Sequence, residues 1–338
     1  MHISDIDYDL PEELIAQKPI EPRDSARLLV FRDNAIQHRI VSELPEFVQP
    51  GDVVVVNDTR VLPARLVLQR KTGGAAEVLL LEKRTPDGRL WEALVRPARK
   101  LKEGEILEYF GKRVVRIGPR TEAGDTFVIE VIDEDPLALI QRIGSMPLPP
   151  YIRGSLKDAE RYQTVYSQNP ASAAAPTAGL HFTPELMQRV EDAGAVIKRV
   201  ELVVGLDTFK PISTENPLDH VIHSEFYNVP QETFDACQDA RRVIAVGTTA
   251  TRALESAATF GELSGKTRLF ITPGYEWKIV DVMLTNFHMP KTSLLLMISS
   301  FTNGEWRGIY DAGISEKYRF LSFGDAMLLH RERSRSNV

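Results

Sequence analysis

The stretch Gly51–Arg60, GDVVVVNDTR, decides the fold. Gly51 and Asp52 make a turn, and Val53–Val56 follow with no polar residue between them. β-Branched residues that do not alternate with polar ones form a strand buried on both faces, the signature of a parallel sheet covered by helices. The run ends in Asn57, Asp58, Thr59 and Arg60, and polar groups at the end of such a strand are where α/β sheets hold ligands. Two later segments repeat the pattern. A helix over 184–193, opened by Thr183-Pro184-Glu185 and closed by Gly194, leads into a strand at Val196–Val204. Arg242–Val246 is another buried strand. It runs into GTTATRALES, a strand–turn–helix with Gly247 at the turn and Thr248 and Thr249 as capping candidates. Free N–H groups and the positive dipole end make such a helix start an anion site.

From Leu62 to about Ile132 the pattern changes. Short β-rich runs (ARLVLQR, AAEVLLLEKR, LWEALVRPA, ILEYF, RVVRIG and TFVIEVI) are separated by Gly, Pro and Asp turns, with no helix signal. Such spacing predicts a small antiparallel barrel. A helix returns at Pro136–Ile143. The expected fold class is therefore α/β: a mixed α/β core, residues 1–60 and 148–338, with an inserted β-barrel domain, residues 61–147. Charge follows the same division. The chain of 338 residues carries a net charge of −6, yet residues 60–120 hold 15 Lys and Arg against 7 Asp and Glu. A basic domain on an acidic body is the footprint of a polyanion partner. The alternative is a barrel whose outward strand positions are simply charged.

The remaining segments fill out the core. Leu10–Gln17 predicts a short helix, Leu28–Phe31 and Leu269–Thr272 predict strands, and Glu232–Arg242 and Glu305–Tyr318 predict helices. PLPPYI, Pro147–Ile152, is a stiff extended connector. In ERYQTVYS, Glu160–Ser167, Tyr162 and Tyr166 lie one helical turn apart, placed either to stack on a base or to pack under the connector. The ending HRERSRSNV has the composition of a disordered tail. No apolar run approaches the roughly 20 residues of a membrane helix. The acidic start MHISDIDYDLPEEL has no signal-peptide core, which points to a cytoplasmic protein.

Cys237 is the sole cysteine, which excludes an intrachain disulfide and cysteine-rich zinc or iron–sulfur sites; its helical setting marks it for packing. No Gly-x-Gly-x-x-Gly, P-loop or Gly-x-Ser-x-Gly motif occurs. AAAPTAGLHFT, Ala173–Thr183, sets Thr177, Gly179 and His181 close together before a helix start. It reads as a ligand-facing loop, with Gly179 allowing close backbone approach or a positive φ. HVIHSE brings together His220, His223 and Glu225, without the further ligand a zinc site needs. After Gly247, Arg252 and Glu255 are three apart on a helix and share a face. TNFHMP, Thr285–Pro290, follows Asp281 and presents Asn286 and His288.

Taken in order, PLPPYI, ERYQTVYS, AAPTAGLHFT, DHVIHSE, GTT-x-x-R-x-LES, TNFHMP and YRFLSFGDAM resemble one family, the S-adenosylmethionine:tRNA ribosyltransferase-isomerases of queuosine biosynthesis. The resemblance runs from LPEELIAQKP to GDAM, nearly the whole chain. It implies an α/β core with an inserted barrel. It also implies a reaction: the ribosyl group of S-adenosylmethionine moves, with isomerisation, onto 7-aminomethyl-7-deazaguanine at the wobble position of a tRNA with a GUN anticodon. Adenine and methionine leave, and epoxyqueuosine is formed. S-adenosylmethionine is then a co-substrate and no prosthetic group is implied; a monomer with no metal and no membrane association is expected. The family reads Leu-His-Val-Gly-x-Gly-Thr-Phe where this chain has LVVGLDTF, Leu202–Phe209, so Val203 replaces a histidine and Asp207 a glycine. That departure keeps two rivals open: a paralogue using S-adenosylmethionine on another substrate, and a non-catalytic tRNA-binding module.

The implied reaction assigns roles. A base must take a proton from the 5′ carbon beside the sulfonium. His181, His223 and His288 are the histidine candidates, in that order, with Glu225 and Asp281 as carboxylate alternatives. Arg252 and Glu255, as an arginine–acid pair, suit the carboxylate and ammonium of methionine. Arg60, Tyr162, Thr177, Gly179, Thr208, Thr248, Thr249 and Asn286 complete the expected substrate-binding set.

Overall fold

Every residue of the strand Asp52–Asn57 is buried, as the unbroken valine run requires. A computed structural model describes residues 1–121, 124, 126–154, 156, 158–205, 211–222 and 224–331. In chain order β1 (Arg27–Arg32), β2 (Ala35–Ile40) and β3 (Asp52–Asn57) come first. Then follow β4 (Thr59–Val61), β5 (Arg65–Arg70), β6 (Ala75–Lys83), β7 (Leu90–Arg96), β8 (Ile106–Tyr109), β9 (Lys112–Arg120), β10 (Phe127–Val131) and α1 (Pro136–Ile143). Next are β11 (Asn169–Ser172), α2 (Pro184–Asp192), β12 (Val196–Leu202), β13 (Glu225–Asn228), α3 (Gln231–Asp239) and β14 (Arg242–Val246). The last elements are α4 (Gly247–Phe260), β15 (Ser264–Thr267), β16 (Val282–Asn286), α5 (Ser293–Phe301), α6 (Trp306–Ser315) and β17 (Ala326–His330). The chain divides into two compact units, one of Met1–Thr59, Pro149–Gln168 and Pro176–Val338, the other of Arg60–Leu148 and Asn169–Ala175. The segment 169–175, kept in the core by the sequence reading, groups with the second unit. There β11 pairs with β4, and Leu62 N donates to Ser172 O at 3.0 Å.

In the first unit, the described residues form a nine-stranded sheet in the order β15–β13–β12–β3–β14–β16–β17–β1–β2. At its centre β12, β3, β14 and β16 run parallel, with Val54 beside both Ile197 and Ile244. From β3 the chain crosses first to β12 on one side and later to β14 on the other. Strand order therefore reverses at β3, and the crevice beyond the C-terminal ends of these strands is where such sheets bind ligands. Val54 and Val56 share an apolar cluster with Phe182, and with Leu186 and Val190 of α2. Thr183 caps α2, its hydroxyl accepting from Leu186 N at 3.0 Å. Helix α4 packs across β12, β3, β14 and β16.

In the second unit β10–β7–β6–β5–β8–β9 close into an antiparallel barrel. Closure leaves no strand edge unpaired. Alternate residues point inward, and Leu66, Val78, Leu80, Trp91, Ile117 and Ile129 fill the interior with α1 residues Leu139 and Ile140 packed on them. The Trp91 indole N–H donates to Gly88 O at 2.6 Å, so its polar atom is satisfied. On the outside, cross-strand ion pairs form between Arg70 and Glu105 and between Arg116 and Glu130, both at 2.6 Å.

Three local expectations are corrected by tertiary contacts. Leu10–Gln17 contains only the 3-10 turn Glu12–Leu14. Its backbone is drawn into pairing with Phe320, whose N donates to Leu14 O at 2.8 Å and whose O accepts from Ala16 N at 3.2 Å. Leu269–Thr272 is not a strand; the strand is β15, and the Leu269 carbonyl accepts from the Arg252 guanidinium at 3.1 Å instead. Tyr162 and Tyr166 do not share a helix face, because a 3-10 turn ends at Tyr162. Both rings are buried, edge-on to Phe323 and Phe182 respectively.

Candidate active site

A cleft opens in the first unit where β14 passes into α4. Thr248, Thr249 and Arg252 of α4 line it with Glu225, His220, Ile222 and Ser293; Leu269, Phe270, Ile271, Leu294 and Met297 form its apolar wall. Gly247 makes the turn at φ +90°, a conformation glycine adopts without strain. Among the described residues no side chain caps the start of α4, so the first-turn N–H groups lack that partner there. The Thr249 hydroxyl is buried with no hydrogen-bond partner among the described residues. A helix start with an unused hydroxyl is a receptor for a carboxylate.

Arg252 and Glu225 form a nearly buried ion pair across the cleft wall. Arg252 is fixed further by the carbonyls of Leu269 at 3.1 Å and Thr267 at 3.3 Å. Glu225 Oε1 accepts from Gly205 N at 3.1 Å. Arg252 was expected to pair with Glu255, but the structure separates them. The Glu255 carboxylate accepts from the backbone N–H groups of Lys278, Ile279 and Val280 at 2.9–3.0 Å and from the Tyr275 hydroxyl at 2.9 Å. Glu255 thus anchors that loop.

Two of the histidine candidates, His181 and His288, do not line this cleft. His181 ends the 3-10 turn Thr177–His181 and is buried. Burial lowers its pKa to about 4. Asn286 links the turn together, its Nδ2 at 3.3 Å from His181 Nε2 and its Oδ1 accepting from the Thr177 hydroxyl at 3.1 Å. His181 lines a second, smaller cleft in the same unit with Arg23, Arg161, Ser322 and Phe323. Gly179 is closely packed. Its φ is not positive, and a Cβ there would fall 1.9 Å from the Tyr166 hydroxyl. His288 is buried with Nε2 at 3.0 Å from Thr285 Oγ1, and burial lowers its pKa to about 3.

Asp281 stands at the N-terminal end of β16, the opposite edge of the sheet from the cleft. There it accepts from Val243 N at 2.9 Å and pairs with Arg331 at 3.6 Å. Tyr162 is fully buried core, and Arg60 sits in β4 of the second unit. Val203 extends the pairing of β12 with β13 by donating to Phe226 O at 2.9 Å. His223, Asp207 and Thr208 lie outside the described residues, as does most of the C-terminal tail. The sequence reading missed the apolar wall at Leu269–Ile271 and the first turn of α5, neither of which carries a polar motif. Cys237 is buried and its thiol pKa is pushed up to about 12, in keeping with packing. Among the described residues no three metal-ligating side chains converge.

A parallel-centred sheet with a helix-capped polar cleft at the C-terminal end of β14, together with a separate basic barrel, defines an α/β enzyme with an inserted domain. The family described as "Queuosine biosynthesis protein" matches residues 3–329. The S-adenosylmethionine:tRNA ribosyltransferase-isomerase of Rubrobacter xylanophilus is 47% identical over 97% of this chain and 98% of its own length. The protein of the same name from Symbiobacterium thermophilum is 47% identical over 97% of this chain and all of its own length. The crystal structure of the S-adenosylmethionine tRNA ribosyltransferase from Thermotoga maritima is 36% identical, covers 96% of this chain and 99% of its own, and superimposes with a TM-score of 0.55. The chain belongs to the S-adenosylmethionine:tRNA ribosyltransferase-isomerase family of queuosine biosynthesis.

Proposed function

We propose that this chain transfers and isomerises the ribosyl group of S-adenosylmethionine onto 7-aminomethyl-7-deazaguanine in the wobble position of a tRNA with a GUN anticodon. Epoxyqueuosine-tRNA, adenine and methionine are the products. Full-length similarity to enzymes of that name supports the reading, and the cleft at α4 is the observation that carries it. The methionine carboxylate meets the first turn of α4 and the hydroxyls of Thr248 and Thr249. Glu225 supplies negative charge for the ammonium or sulfonium, and Arg252 holds that carboxylate in place. The wall of Leu269, Phe270 and Ile271 receives adenine, with Phe270 edge-on to His220 at 6.1 Å between ring centroids.

The sulfonium acidifies the 5′ C–H bonds, so a positioned base completes the activation. Glu225 is held by an arginine, which weakens it as a base. His220 lines the same cleft and is the proton acceptor in this reading, while His181 and His288 are buried outside that cleft's lining. The rivals of a different S-adenosylmethionine substrate and of a non-catalytic tRNA binder are tested directly. Pure protein with S-adenosylmethionine and precursor-bearing tRNA is expected to release adenine, with turnover unaffected by EDTA. His220→Ala is expected to lower kcat by about a hundredfold and to suppress exchange of the 5′ hydrogens with deuterated solvent. Adenine release without the precursor base, or none with it, rejects the proposed reaction.

A further inference from the structure

We propose that the tip of the β8–β9 hairpin is a stacking platform for an unpaired base of RNA; the inference rests on the tRNA reading above. Phe110 at this tip is 90% exposed, more than any other large apolar side chain in the described residues. Tyr109 lies edge-on to it with ring centroids 4.7 Å apart, and Tyr109 itself packs on the barrel core. The exposed ring is thus buttressed by an anchored one. Val67 of β5, the strand paired with β8, is 61% exposed.

The turn itself is the second observation. Tyr109 pairs with Lys112, and between them Phe110 and Gly111 have φ of +47° and +79°. Positive φ at both central positions is a type I′ turn, whose first position ordinarily takes Asn, Asp or Gly. A bulky aromatic is strained there. The hairpin therefore departs from its own local rule to hold a ring in water, and such departures mark functional positions. Charge selects the occupant. Arg113 is exposed, faces Glu108 across the ladder and makes no ion pair among the described residues; Lys112 is exposed and holds Asp133 at 2.9 Å. Residues 60–120 around them hold 15 basic against 7 acidic side chains. A ring in a positive field fits a base flanked by phosphates.

The test uses the full chain and a labelled GUN-anticodon tRNA transcript, with affinity read by fluorescence anisotropy. Phe110→Ala and Phe110→Asn are each expected to weaken binding at least about fivefold, as loss of one stacked base does, while Phe110→Trp retains it. Phe110→Asn is also expected to raise Tm by about 2 °C or more, because asparagine suits the turn. Stability and affinity moving in opposite directions is a result that mere misfolding does not produce. Unchanged affinity in the Ala and Asn variants overturns the inference, as does an equal loss in Phe110→Trp. A wild-type dimer that Phe110→Ala dissociates without changing tRNA affinity overturns it in favour of self-association. If wild-type protein releases no adenine from S-adenosylmethionine and precursor tRNA, the functional reading has failed; if it does and the variants bind normally, only the stacking platform has.

Discussion

Thr249 gives the cleft its sharpest single-residue test. Its hydroxyl is buried and has no partner among the described residues. Thr249→Val therefore removes no hydrogen bond made among the described residues, and Tm is expected to hold or rise slightly. If the hydroxyl meets the methionine carboxylate, KM for S-adenosylmethionine rises about tenfold or more, the usual worth of a hydrogen bond to a charged group. An unchanged KM would remove Thr249 from the site. The buried histidines make a second prediction at this scale. Burial lowers His181 to about 4 and His288 to about 3, against 6.5 for the free side chain. The unfolded chain then binds more protons below pH ~6.5, so their contribution is complete above that value and declines as pH falls toward 4. Tm is expected to drop over that window, and less steeply in His288→Gln. Equal slopes for both proteins would contradict the assignment.

Among the elements, the 3-10 turn Thr177–His181 shows how a short motif is held by its neighbours. Gly179 has no room for a side chain because the Tyr166 hydroxyl and the Thr164 methyl stand against its Cα, a Cβ falling 1.9 Å and 2.9 Å from them. Gly179→Ala is expected to cost about 1–3 kcal/mol by overpacking. The Tyr166 hydroxyl is buried without a partner among the described residues, so Tyr166→Phe alone should be close to neutral. Combined with Gly179→Ala it should restore part of the loss, since the two positions share one space. Denaturant titration of the four proteins measures this coupling. Strict additivity would mean that the turn relieves the clash by moving elsewhere.

At the scale of the whole molecule, the basic barrel is two populations of charge. Arg65, Arg70, Arg84 and Arg116 are neutralised locally by Glu77, Glu105, Glu92 and Glu130. Arg99, Lys100 and Lys102, in the loop between β7 and β8, are exposed and make no ion pair among the described residues. Only charges of the second kind release counterions from a bound polyanion. Reversing these three to Glu is expected to weaken tRNA binding and to reduce the salt slope, log Kd against log salt, by about 2–3. Reversing Arg116 alone should change the slope less. An unaltered slope in the triple variant would place the tRNA contact on another surface.

The sequence by itself determined what depends on local periodicity. Four valines in a row dictated the two-face burial of β3, alternation dictated the barrel strands, and Thr183-Pro184 set the start of α2. The position of the cleft was legible too, because Gly247 and its threonines end a buried strand at the edge where such sheets bind ligands. Only the tertiary structure decided the partners. Arg252 passed over Glu255, one turn away on its own helix, for Glu225, 27 residues earlier in the chain. Shared helix face permits an ion pair, but Glu255 finds four donors in the loop at 275–280, and no spacing rule encodes that loop's path. The same reason hid the apolar cleft wall and turned His181 inward. Side-chain burial and pairing are set by segments distant in sequence, while propensity and periodicity register only neighbours along the chain.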